Sequence, residues 1–221
     1  MRFGGEFIVG FGEVEKALSP ARVEPYLRGM GGDRPAAIRL YEWNTAISGA
    51  FYESLAHLEV GLRNGINDQL RAMAHRDDWW DSPALTLTAS ALDMLVKAKG
   101  EVARRANSKP GHVVAALPFG FWVGLLSAGR GCNYETTLWR PAIHRAFPHY
   151  RGPRAPLHQR LETLRLLRNR IAHHEPIHRR HLAADYGTLL LAAGWLSADF
   201  AVWIRSTSRI PAVLAARPPI P

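Results

Sequence analysis

From Leu40 to Leu70 the apolar residues recur every three or four positions: Leu40, Trp43, Ile47, Phe51, Leu55, Leu58, Leu62, Ile66 and Leu70. A stripe of that length at helical spacing sets one side of a long helix against a core. Asp33 suits the start of this helix as its cap, with Pro35 in the first turn. The pattern runs to about Ala74, and a kink or break is expected near Gly49. Helical periodicity is widespread elsewhere. No two alternating apolar runs are joined by a tight Asn-Gly or Asp-Gly turn, so strand signals are sparse. The chain reads as all-α.

Around that long helix the breakers mark shorter pieces. Ser19-Pro20 reads as a cap followed by proline at the first helical position, and Gly29, Gly31 and Gly32 end the helix it starts. Asp77 to Pro83 is a loop carrying Trp79 and Trp80, followed by a helix from about Ala84 to Ala106. Two short apolar helices between His112 and Ala128 divide at Leu117-Pro118, and short helices from Tyr134 to Phe147 are broken by Pro141. A helix from Leu157 to about His174 is ended by Pro176, because the residue before proline is pushed out of the helical region. One last long helix is expected from about Arg180 to Ser206. This gives an N-terminal segment 1–18, a single helical domain 19–206 and a Pro-rich, extended tail 207–221.

The balance of 28 Lys and Arg against 19 Asp and Glu gives a formal net charge of +9. That favours a polyanionic partner, nucleic acid being the commonest, although Arg-rich, Ala-rich chains also arise from base composition alone. No apolar run reaches the length needed to cross a membrane, and no secretory signal is read at the N-terminus. With one cysteine, Cys132, no internal disulfide can form, and a reducing cytoplasm is the expected setting.

Chemistry concentrates in the helix from Leu157 to His174. Leu157, Leu161, Leu164 and Ile171 share one stripe, whereas His158, Glu162, Arg165, Asn169 and His173 share another that is entirely polar, with Arg168 beside it. An arginine offers a planar fork of donors for phosphate oxygens, and a histidine in the last helical turn can move a proton near neutral pH. RNA carries its own nucleophile, the 2′-hydroxyl, so such a pair needs no metal or other cofactor. It would leave a 2′,3′-cyclic phosphate and a 5′-hydroxyl, with Asn169 holding an oxygen by hydrogen bonding.

Arg168-Asn169-x-x-x-His173 resembles the Arg-polar-x-x-x-His signature of the HEPN superfamily of helical ribonucleases. The longer string from Leu167 to Ile177 is similar to the C-terminal motif of the Abi-like family, which is associated with abortive phage infection and placed in the HEPN group. Leu40-Tyr41-x-Trp43-Asn44, the stretch from Leu58 to Asn67 and Leu117-Pro118-Phe119-Gly120-Phe121-Trp122 look like Abi-like segments in the expected order. The resemblance implies a HEPN-like helical bundle with additional short helices, and a homodimer whose two motifs face each other across a composite cleft. It also implies an RNA endonuclease that arrests growth in phage defence, with room for an antitoxin partner. Arg168, Asn169 and His173 are then the catalytic residues, and a non-catalytic RNA- or protein-binding module is the alternative.

Other residues admit two readings. His174 is a second candidate for the catalytic histidine. Glu59 and Arg63, with Asn64 and Asn67, either orient Arg168 or the RNA, or form an internal polar network that fixes helix register. Arg165, Arg170, Arg179 and Arg180, together with the stretch from Arg151 to Arg160, suit phosphate contacts or a solvated surface. His174, His178 and His181 have spacings seen in metal sites, but lack a completing Cys or Asp, so no metal is expected. Most of the tryptophans suit a core, and Trp79 and Trp80 sit among aspartates that repel RNA.

Overall fold

The computed structural model describes residues 11–104 and 106–219. Among them no strand occurs. The elements in order are α1 (Phe11–Leu18), α2 (Pro20–Gly29), α3 (Arg34–Ala74), α4 (Ala89–Ala103), α5 (Pro110–Ala116), α6 (Phe119–Gly124), α7 (Arg154–Ala172), α8 (Leu182–Leu196), α9 (Ala198–Thr207) and α10 (Ile210–Ala215). Single turns at Trp79–Asp81, Glu135–Trp139 and Ile143–Ala146 fill the connections. The protein is all-α.

α3 spans 41 residues, about 60 Å at 1.5 Å per residue. The Asp33 side chain caps it, accepting the Ala36 N–H at 3.0 Å. Every residue of the apolar stripe is buried, and α2, α6, α7, α8 and α10 all pack against this one helix. The break expected near Gly49 does not occur. An added Cβ at Gly49 would meet nothing within 4 Å, so the glycine lies on the open side. It costs the helix about 1 kcal/mol. Burial of Ile47 and Phe51 on either side contributes about 1.5–3 kcal/mol each and outweighs that cost. Gly61 does have a packing reason: a Cβ there would lie 2.7 Å from the Phe200 ring, so glycine lets the α8–α9 corner approach α3.

Three expectations need correction. The single helix from Arg180 to Ser206 is two, because Ser197 is extended (φ −161°) and its side chain accepts the Phe200 N–H at 3.4 Å, starting α9 afresh. The tail from 207 is not extended throughout: Ile210 is buried in α10, and the Trp43 indole N–H donates to the Val213 carbonyl at 2.7 Å. Ser19 does not cap α2 with its side chain; it sits at φ 73° and its carbonyl accepts from Arg22 and Val23. Residues 1–10 of the N-terminal segment and 220–221 of the tail lie outside the described residues.

The segment after α7 is anchored to α3 by one buried side chain. Asn44 Oδ1 accepts the backbone N–H of Ile177 at 2.9 Å and of His178 at 3.1 Å. Both amides are shielded from water, so each needs that oxygen. Asn44→Ala should therefore destabilise the protein by about 2–4 kcal/mol in urea denaturation, the cost of two orphaned buried donors. A loss below about 1 kcal/mol would show that the amides find other acceptors.

Candidate functional site

α7 lies along α3 with its buried residues Leu157, Leu161, Leu164, Leu167 and Ile171 facing the core. The intervening positions carry the polar residues. Arg168 and Glu59 meet across the α7–α3 seam, with Nε 3.5 Å from Oε2 and the side chains 29% and 21% exposed. The contact is an ion pair without a hydrogen bond: Arg168 Nε is shielded from solvent and has no hydrogen-bond acceptor. Asn169 is half-buried, and His173 is exposed.

The end of α7 has a defined geometry. His173 is its C-cap, its N–H donating to the Asn169 carbonyl at 2.9 Å. His174 follows in the left-handed region at φ 56°. The His174 N–H returns to Ile171 at 3.0 Å and the Glu175 N–H to Arg170 at 2.8 Å, closing the last helical carbonyls. The Arg22 guanidinium of α2 caps the His174 carbonyl, and Arg170 Nε reaches Glu175 at 3.0 Å. This stop turns the chain sharply and leaves His173 projecting at the helix end.

The other arginines near the motif are engaged within the chain. Arg165 forks onto Glu162 at 2.7 and 2.6 Å. Arg180 forks onto Asp185 at 2.9 and 2.8 Å, with only 9% of the Asp185 side chain exposed. Arg179 donates to the Pro25 carbonyl at 3.4 Å. Between positions 165 and 180, Arg168 is the arginine that donates no hydrogen bond among the described residues. Arg63 lies one turn beyond Glu59 on α3, and its Nε donates to Asn64 at 3.3 Å. His158, on the polar stripe, has a pKa held below the usual value by burial, with Glu162 opposing the shift and Arg154 and Arg165 adding to it.

The sequence marks His178 only as one of three histidines at metal-site spacing, and its buried setting is not foreseen there. It is 2% exposed, lies 5.0 Å from the Tyr26 ring, and has no hydrogen-bond partner for either ring nitrogen. Arg217 donates to its carbonyl at 2.9 Å and lies over the Trp43 ring at 5.2 Å, so the C-terminal segment covers this residue. Asn44 lay inside a motif-like segment, but nothing local marks it as an anchor for residues 133 and 134 positions away. Trp79 and Trp80 are buried, and Trp79 Nε1 donates to Asn67 Oδ1 at 3.0 Å. Among the described residues no group of three or more His, Cys, Asp or Glu is placed to hold a metal ion, and no helix is long and apolar enough to cross a membrane.

Comparison with family models, with curated proteins and with solved structures gives no match for this chain. The functional reading therefore rests on the residues and their arrangement.

Two outcomes follow for the loop. His174→Gly should raise stability by about 0.5–1 kcal/mol in thermal or urea unfolding, since glycine adopts the left-handed region without the Cβ clash. No gain would mean that the histidine side chain makes a compensating contact. Burial, then Arg179 and Arg217, push the His178 pKa from 6.5 down to about 4. The unfolded chain thus binds a proton that the folded chain refuses between those values. The full stability is present above about pH 6.5, falls as pH drops toward 4, and the loss is about 2 kcal/mol by pH 5. His178→Phe should remove that part of the pH dependence; an unchanged slope would assign it to other groups.

Proposed function

We propose that the protein is a metal-independent RNA endonuclease of HEPN type, resembling the Abi-like family, with Arg168, Asn169 and His173 as its catalytic residues. The observation that carries this reading is the state of Arg168. Its guanidinium is held at the α7–α3 seam by Glu59, is partly exposed, and donates no hydrogen bond among the described residues. A phosphate oxygen brings opposite charge to the exposed part of the guanidinium, Nε itself being shielded from solvent. Asn169 and His173 share one side of the helix end, the first half-buried and the second exposed.

In this scheme the RNA 2′-hydroxyl attacks the adjacent phosphorus and the 5′-oxygen leaves, giving a 2′,3′-cyclic phosphate and a 5′-hydroxyl. Arg168 neutralises the charge gathering on the non-bridging oxygens, and His173 transfers the proton. A homodimer with a composite cleft would bring two such sets together. Growth arrest during phage infection is the matching physiological role, with an antitoxin as a candidate partner.

A non-catalytic reading has its own support. Arg165, Arg170 and Arg180 are all satisfied by carboxylates of this chain, so the charge left for RNA near the motif is small, and Arg168 with Glu59 could serve as a structural pair. One assay separates the two. Purified protein incubated with RNA in EDTA should cut it, and Arg168→Ala and His173→Ala should each lower the rate about a hundredfold or more. Cleavage at equal rates by wild type and both variants would identify a contaminant. Tight binding with no cleavage would establish the non-catalytic module.

A further inference from the structure

The polar residues of α3 border a cleft of about 490 Å³, within the size range of small-ligand sites. Arg63, Asn64, Asn67 and Arg71 line one wall; Asp77 and the segment starting at Lys109 line the other. Its hydrogen-bonding groups are out of balance. Asp77, the carboxylate of the cleft, is taken by Arg71, whose Nε approaches at 2.8 Å. Asn67 Oδ1 accepts from Trp79 at 3.0 Å, and Asn64 Oδ1 accepts from Arg63 Nε at 3.3 Å. His112 Nδ1 accepts the Lys109 backbone N–H at 3.1 Å.

Donors are left over. The terminal nitrogens of Arg63, the side-chain N–H groups of Asn64 and Asn67, and the Lys109 ammonium have no acceptor among the described residues. Neither Arg63 nor Lys109 has a carboxylate partner there, in contrast to Arg71 and to the arginines around the motif. A cleft with two unpaired cations and spare amide donors selects an anion rich in acceptors. A carboxylate offers two oxygens and fills little of the space. A phosphate carried on a sugar offers more acceptors and suits the volume.

We propose that this cleft is a phosphate-binding site of nucleotide size, in which Arg63 and Lys109 hold the phosphate and Asn64 and Asn67 donate to the attached sugar or base. The ligand is either a free nucleotide or one unit of an RNA strand. The RNA case rests on the nuclease reading, whereas the nucleotide case does not.

The test is titration calorimetry on the full chain with inorganic phosphate, 5′-AMP and a short single-stranded RNA, the RNA arm using His173→Ala so that the strand stays intact. Lys109 is exposed, so Lys109→Glu should keep the wild-type melting temperature. Arg63→Gln is the second variant. Each should weaken binding about tenfold or more. Binding of phosphate or AMP that falls this way identifies the free nucleotide as the ligand. Binding of RNA alone that falls this way identifies the strand. Absence of binding by all three probes, or affinities in both variants within about twofold of wild type, overturns the proposal. Nucleotide binding here by a chain that cuts no RNA would sink the nuclease reading and leave the cleft standing. RNA cleavage with unaltered binding in both variants would do the opposite.

Discussion

Burial of one continuous apolar stripe on α3 organises the rest of the molecule. The helix is too long and too apolar along one side to be stable in water by itself, and its neighbours exist in their present positions because they cover that side. α7 covers it near Glu59, the α8–α9 corner covers it near Gly61, and α10 covers it near Trp43. Polar side chains on the same helix then serve as fixed reference points. Asn44 sets where the chain goes after the motif, Glu59 sets the position of Arg168, and Asn67 holds the indole of Trp79.

The basic character of the chain is less available than the net charge suggests. Forked contacts to carboxylates occupy Arg165, Arg180 and Arg209, and Arg154 is shared between Glu135 and the Leu126 carbonyl. Such pairs tie helix ends and loops together, and in doing so they remove donors from the surface. Cations that escape this pairing are therefore more informative than cations in general. Arg63 and Lys109 across the cleft are of that kind, and Arg168 beside the motif has only an ion pair to Glu59 without a hydrogen bond.

Much of the architecture was legible because it depends on local signals. The stripe from Leu40 to Leu70, the Asp33 cap, the Leu117-Pro118 division and the stop before Pro176 all act through neighbouring residues, and each is present. Failures arose where burial outweighs a local signal or where a local signal was too short to notice. Gly49 did not break α3 because its neighbours are buried. Ser197, followed by Asp199 in the first turn of α9, carried a cap signal hidden inside an apolar run. At the candidate site, residue types and helical side were readable, and Glu59 stood among the partners weighed for Arg168, which it meets in the fold, but no local signal chose it. Nothing local tells Arg180 to choose Asp185, or places Glu59 against Arg168 across more than a hundred positions of chain. For the same reason the role of Asn44 and the sealed environment of His178 emerged only in three dimensions.

The order in which the chain is made bears on how it must be handled. α3 is complete once residue 74 has been added, yet α7, which begins at Arg154, and the helices after it arrive later. At about 5–20 residues per second the ribosome needs roughly 4–16 s to supply the 79 residues between them. Throughout that interval the part of the α3 stripe that α7, α8 and α10 cover lacks those helices. A stalled or truncated product ending before α7 therefore exposes apolar surface of α3 instead of forming a smaller folded unit.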